Sequence, residues 1–462
     1  VALVSPISGI KGDPKMPHDL NHLTEALLHE AKKAGADSAD AMAVAGQSLS
    51  IDIRQGKLEQ AERSEAVEVG LRVMIGHRQA CVSASDISPA TLSRLAERAV
   101  AMAREAPEDD TVGLADPDQL ARSWDIAALE MCDTSSEPEA SALEDAARRA
   151  EAAALTVGEI TQVEASSSWA RRGLHLAASN GFSGGYERSS HSISAVAFTG
   201  SGTGMERDWA AEGRTFAADM PTAEGIGVLA GERALERAGS VKPPTGAFPV
   251  LFDERIASSI VGHVLMAVNG SSIVRGTSWA RDKLGTQILP RGMSLIEDPH
   301  RARISGSRPF DGEGLPTKRR VLIEDGVLKG WTLDLANARK LGLQSTGNAA
   351  RGTGSPPSPS TTNIDLTQGT VSREELLRQM GTGLLVTSLI GSTINPTTGD
   401  YSRGASGFWV ENGEIMYPVN ECTIAGNLLE MLLRMTPAND ARAHYSTRVP
   451  SLLIEGLMLA GA

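Results

Sequence analysis

The chain has 462 residues, more than one hydrophobic core usually fills, so two or more domains are expected. Apolar residues make up 41% and charged residues 22%, an ordinary globular balance, while aromatics at 4% leave a core of Ala, Val, Leu and Ile and no platform for stacking bases. The net charge of -13 excludes a surface that tracks phosphates, so direct nucleic-acid binding is not expected, and the densest basic run, Lys318-Arg319-Arg320, reads as a solvated turn.

Residues 1–17, broken by Pro6, Gly9, Pro14 and Pro17, read as a leader, with Met16 a candidate native start. Leu20, Leu23, Leu27 and Ala31 then recur at helical spacing, and Gly35 suits a C-cap, so a helix is predicted over 19–34. Leu49, Ile51 and Ile53 alternate with polar residues, and Gln55-Gly56-Lys57 turns the chain into a hairpin. Val67, Val69, Leu71, Val73 and Ile75 alternate again, with a partner strand through Cys81 after Gly76-His77. A helix over 88–105 closes the unit.

The acidic, Pro-punctuated stretch from Ala106 to Pro138 reads as a connector. A second unit follows, with a helix over 139–155, strands near 160–169, 172–179 and 190–199, and a helix over 222–238. It echoes the first in order of elements, without a residue-level repeat. Lys242-Pro243-Pro244-Thr245-Gly246 marks the domain boundary, because two prolines forbid regular pairing. The expected organisation is therefore an N-terminal α+β domain over 18–240, with subdomains at about 18–105 and 139–240, and a β-rich domain over 241–462.

In that second domain Arg255 to Val268 has mixed helical spacing, Val321-Leu322-Ile323 and Val327-Leu328 flank Asp325-Gly326 as a hairpin, and Leu452 to Leu459 reads as a strand. Short strands with Gly turns suggest a curved or barrel-like sheet. Gly342 to Asn363, with Gly352, Gly354, Pro356, Pro357 and Pro359, reads either as a functional loop or as a surface connector.

Several tempting motifs fail. Gly200-Ser201-Gly202-Thr203-Gly204 lacks the Gly-Lys-Ser/Thr helix start of a phosphate loop and reads as a strand-end turn. Gly404-Ala405-Ser406-Gly407 lacks the spacing of a nucleophile elbow. The three cysteines, Cys81, Cys132 and Cys422, form neither a disulfide framework nor a metal pair, which fits a reducing compartment. Of the nine histidines, only His18 and His22 share i, i+4 spacing, and His29-Glu30 is followed by Lys33 and Ala34 where a zincin would place its second His. No apolar run is long enough for a membrane span.

The longest specific pattern is Gly391-Ser392-Thr393-Ile394-Asn395-Pro396-Thr397-Thr398-Gly399-Asp400-Tyr401-Ser402-Arg403-Gly404-Ala405-Ser406-Gly407-Phe408-Trp409-Val410-Glu411-Asn412-Gly413-Glu414-Ile415, continued by Tyr417-Pro418-Val419 and Thr423-Ile424-Ala425-Gly426-Asn427. It resembles the C-terminal signature of the PmbA/TldE branch of the TldD/PmbA family, described as modulators of DNA gyrase and as subunits of a cytoplasmic metallopeptidase. Ser345-Thr346-Gly347-Asn348-Ala349 and Pro356-Pro357-Ser358-Pro359 also look like the family.

The resemblance implies an α+β fold, a mixed N-terminal lobe beside a barrel-like C-terminal domain. In the sister branch a His-Glu-x-x-x-His helix binds zinc, the Glu serving as general base. The matching positions here are Ser258, Ser259 and His263, and the family's further Cys ligand has no counterpart after Cys422. One imidazole and two hydroxyls lack the ligands and the base, so neither a catalytic residue nor a metal is expected in this chain. Zinc is expected in a TldD-type partner, with unfolded peptides as substrates, a cytoplasmic location, and a homodimer open for the chain on its own. Arg351, Gly352, Thr353, Gly354 and Ser355 are the candidates for a substrate channel. The alternatives are a stand-alone metallopeptidase and a non-proteolytic modulator of DNA gyrase or its inhibitors.

Overall fold

The computed structural model describes residues 18–461; the leader and the Met16 start lie outside the described residues. The first unit runs α1 (Leu20–Ala34), β1 (Ser38–Arg54), β2 (Lys57–Ile75), β3 (Arg78–Ala84) and α2 (Pro89–Glu105). Asp19 caps α1 by accepting from the His22 N–H at 3.1 Å, and Gly35 ends it at φ 95°, a conformation that costs glycine little. Gln55 and Gly56 turn β1 into β2 at φ 52° and 67°.

After a connector holding the single turn α3 (Ile126–Leu129), the second unit repeats the order: α4 (Ala140–Leu155), β4 (Ile160–Ala178), β5 (Ser183–Thr199), β6 (Glu206–Arg214) and α5 (Ala223–Glu236). The stretches read separately as 160–169 and 172–179 are one strand, β5 begins earlier than expected, and β6 was not anticipated. All six strands form one antiparallel sheet in the order β3-β2-β1-β4-β5-β6, joined where Ser48 stands opposite Ala170.

Alternation along β1 decides which layer each residue meets. Ala39, Ala41 and Ala43 face α1 and α2, while Leu49, Ile51 and Ile53 face α4 and α5. Met42 and Val44 point the other way, into a cluster with Trp124, Phe182 and Phe310. Phe310 comes from the C-terminal half, and its ring lies 4.9 Å from Trp124 and 5.0 Å from Phe182.

No strand runs through 242–245, and β7 (Gly246–Phe252) opens a second main sheet. It lies parallel to Gly383–Ile394, which continues antiparallel through Asp400–Glu411 to Glu414–Asn427. The last strand, Leu452–Ala460, pairs with β7 and with Glu414–Asn427, closing a five-stranded barrel. Helix α6 (Glu254–Ala267) lays Ala257, Ile260, Val261 and Val264 against Val250, Phe252, Leu384 and Val386. The expected hairpin is present, with Asp325 at φ 48° and Gly326 at φ 80°. The chain is thus an α+β protein, a mixed lobe beside a barrel.

Candidate functional site

Helix α6 carries Ser258, Ser259 and His263, and its N-terminus is pinned to the first lobe. Asp253, buried at the N-cap, accepts from the Arg255 N–H at 3.1 Å and pairs with Arg373 at 3.1 Å. Arg255 also donates to Asp208 of β6 at 3.2 Å. These contacts fix the helix by charge-assisted bonds in a partly desolvated setting.

Ser259 and His263, one turn apart, share a face of the helix. Among the described residues, the buried Ser259 hydroxyl has no hydrogen-bond partner, and neither do the two ring nitrogens of His263, which is 8% exposed. Burial, with the nearby Arg403 cation adding to it, pushes the His263 imidazole down to about 4, so it is neutral at physiological pH. Its ring meets Tyr401 edge-on at 5.9 Å, and burial pushes that phenol up to about 12.

A neutral imidazole can ligate zinc, but the hydroxyls of Ser258 and Ser259 supply neither charge nor a base, and among the described residues no partner orients the ring through its second nitrogen. Among the described residues, no cluster of three or more His, Cys, Asp or Glu side chains is arranged to hold a metal ion. Cys422 lies in the barrel wall, donates to the Ala405 carbonyl at 3.2 Å, and has its thiol pushed up to about 11 by burial. The residues at the motif positions therefore do not fit zinc.

His263 instead lines a cavity of about 520 Å³. The short helix α7 (Gly270–Arg275) forms one wall, started by Asn269, whose side chain accepts from the Ser271 N–H at 3.0 Å and donates to the Pro359 carbonyl at 2.9 Å. Trp279 forms another, held by donation from its backbone N–H to the Pro396 carbonyl at 2.8 Å. Ile394 and Pro396 belong to the long signature, at the end of one barrel strand and in the turn to the next.

The segment from Gly342 to Asn363 divides between two places. Its far arm brings Ser358 and Pro359 to this cavity. Its centre packs on the first lobe: the Arg351 guanidinium is fully buried in an ion pair with Asp40, which also pairs with Arg72, with Nε donating at 2.8 Å. Thr353 is buried, and its carbonyl lies 2.1 Å from where a Cβ on Gly70 would stand. Gly352, Gly354 and Ser355 are exposed. The structure thus brings together His263 and the 358–359 arm, leaves Ser258 and Ser259 out of the cavity's lining, and holds Arg351 and Thr353 against β1 and β2.

Sequence reasoning did not single out Tyr401, Arg403, Arg275 or Trp279. The first two stand inside the signature, where a tyrosine and an arginine amid small residues offered a signal; the other two carried none.

Three family models cover the chain: the PmbA/TldA metallopeptidase domain 1 over 39–103, the central domain over 133–240 and the C-terminal domain over 245–461. The chain is 35% identical to metalloprotease PmbA of Escherichia coli O157:H7, covering 94% of each protein. It is also 35% identical to a metalloprotease PmbA homolog of Haemophilus influenzae, covering 96% of each. Among solved structures, TldE from Thermococcus kodakarensis superposes with a TM-score of 0.81 at 21% identity, over 95% of this chain and 99% of that one, a likeness of fold.

Proposed function

The chain belongs to the PmbA/TldD metallopeptidase family, and from that premise we propose that it is a non-catalytic PmbA/TldE-type subunit of a heteromeric zinc peptidase. In this reading it shapes the chamber through which unfolded peptide reaches a metal held by a TldD-type partner in the cytoplasm. What supports it is that Ser258, Ser259 and His263, the positions the family resemblance matches to the zinc motif, offer a single imidazole, no carboxylate base and, among the described residues, no hydrogen-bond partner to orient the ring. A serine hydroxyl cannot take the proton of an attacking water near neutral pH. The three free thiols accord with a reducing compartment, and among the described residues no helix is long and apolar enough to cross a membrane. Peptide would enter extended, pairing through its main chain, a mode that accepts many sequences.

The test is metal content and peptide cleavage, measured on the purified chain alone and mixed with a paralogue carrying His-Glu-x-x-x-His. The chain alone should hold no stoichiometric zinc and cleave nothing, and activity should come with the partner. The double replacement Ser258→His and Ser259→Glu should not restore cleavage, because the third ligand is still missing. Relatives at 35% identity carry the name metalloprotease, which favours a stand-alone peptidase as the second reading. Chelator-sensitive cleavage by the chain alone would decide for it.

A further inference from the structure

The cavity beside His263 has a chemistry of its own. Although the chain carries a net charge of -13, neither Asp nor Glu is among the residues lining the cavity, whereas Arg275 stands at it. Arg275 is exposed and, among the described residues, makes no hydrogen bond or ion pair. Arg403 adds a second cation within electrostatic reach of His263, and its Nε donates to the Gly391 carbonyl at 2.8 Å. His263 itself, more than nine-tenths buried, brings two ring nitrogens with no hydrogen-bond partner among the described residues. Trp279, Ile394 and Leu428 supply an apolar wall, and Asn269, Ser271, Ser272, Thr277 and Ser358 line the cavity with neutral polar groups.

An unpaired guanidinium, an imidazole with a free N–H and no competing carboxylate make a receptor for an anion. A planar one suits best, since the guanidinium fork matches a carboxylate. The volume, about 520 Å³, falls in the ~300–1,000 Å³ range of small-ligand sites and is too large for a bare ion. A ligand that offers a carboxylate and an apolar group from neighbouring atoms satisfies both walls at once. We propose that this cavity binds the C-terminal carboxylate of a peptide, with Arg275 pairing to the carboxylate, His263 donating a ring N–H, and the last side chain lying against Trp279 and Leu428. The site is thereby a docking point for a chain terminus at the position where the sister branch keeps its metal helix. This deepens the reading of a peptide-presenting subunit and rests on it only for where the peptide comes from.

Binding is measured calorimetrically on the full chain alone, without a partner, so a failure of the cleavage test above and a failure here are separate results. Three N-acetylated tripeptides serve as probes: Ala-Ala-Leu with a free carboxylate, its C-terminal amide, and an Ala-Glu-Leu amide that carries its acid on a side chain. The free acid should bind saturably. The plain amide should bind at least tenfold more weakly, as expected for loss of a charged hydrogen-bonded pair. Arg275→Ala, at an exposed position, should weaken the free acid by about the same factor while leaving the thermal melting curve in place. Equal binding of acid and amide, no saturable binding at millimolar peptide, or unchanged affinity in Arg275→Ala would each overturn the proposal. The side-chain acid binding as tightly as the free acid would overturn its assignment to a chain terminus.

Discussion

At the scale of single residues, His263 is the motif position whose protonation can be followed. Its imidazole, pushed down to about 4 by burial and the Arg403 charge, titrates near the ordinary 6.5 once the chain unfolds. Between those values the unfolded state binds the extra proton. Stability is therefore full above pH ~6.5 and is lost as pH falls toward 4. The difference corresponds to roughly 2–3 kcal/mol. His263→Gln, which stays neutral, should lack that component, so the stability difference between wild type and variant should shift by this amount between pH 7 and 4 in denaturant titrations. A constant difference across that window would mean that the ring is protonated at no cost in the folded chain. Ser258, Ser259 and His263 were legible through the family resemblance, within one short stretch of sequence. Tyr401 and Arg403 were not, because they reach His263 only when the barrel closes and brings a strand 138 residues downstream onto α6.

At the scale of elements, the sequence located those whose apolar period is unbroken: α1, α2, α4 and α5 were each placed to within a residue or two at either end. It failed where charge sits inside a strand. Ala170-Arg171 reads as a break between two strands, yet Arg171 stays in β4, where Glu187 on β5 accepts from its Nε at 2.8 Å. Strand β6 has little alternation, and its buried Asp208 is stabilised by Arg255 of the other lobe. Neither partner can be read from local sequence. The same holds for the segment from Gly342 to Asn363, which reads either as a functional loop or as a surface connector. Its anchors are polar: Thr362 donates its N–H to buried Glu297 at 2.6 Å, Asn348 donates to the same carboxylate at 2.8 Å, and Arg351 pairs with Asp40. Asp40→Asn would leave two buried guanidiniums without their carboxylate, at an expected cost of about 3–5 kcal/mol in chemical denaturation. Gly70→Ala should act on the same contact from the other side, since its Cβ would stand 2.1 Å from the Thr353 carbonyl. Overpacking of that kind costs about 1–3 kcal/mol. Hydrogen exchange over 349–360 should rise in both variants, and exchange unchanged in both would show that the segment does not depend on the first lobe.

For the whole molecule, a mixed lobe followed by a barrel was legible from the order of patterns, because the helix-and-strand units come first and the Gly-rich short strands come last. The sequence did not reveal that both units share one sheet, since the joining pair β1 and β4 is set by contacts more than a hundred residues apart. Nor did it reveal how tightly the lobes meet. Arg237 donates to Ser406 at 2.9 Å, Arg442 bridges Glu212 and Glu254 at 2.6 and 2.5 Å, and Phe310 inserts among Trp124, Phe182 and Tyr186. The division of the chain at 242–245 is our proposal, and these contacts define how it should behave. A specific protease site inserted after Pro244, which is exposed, should be cut in the native protein. The two fragments should then co-elute, even at high salt, because the aromatic contact does not depend on charge and buried ion pairs are screened far less than surface ones. They should part only in denaturant, each retaining its own secondary structure at intermediate concentrations. Fragments that separate in plain buffer would mean that the peptide link, and not the interface, holds His263 in its setting. Resistance of the inserted site to cleavage would place the boundary elsewhere.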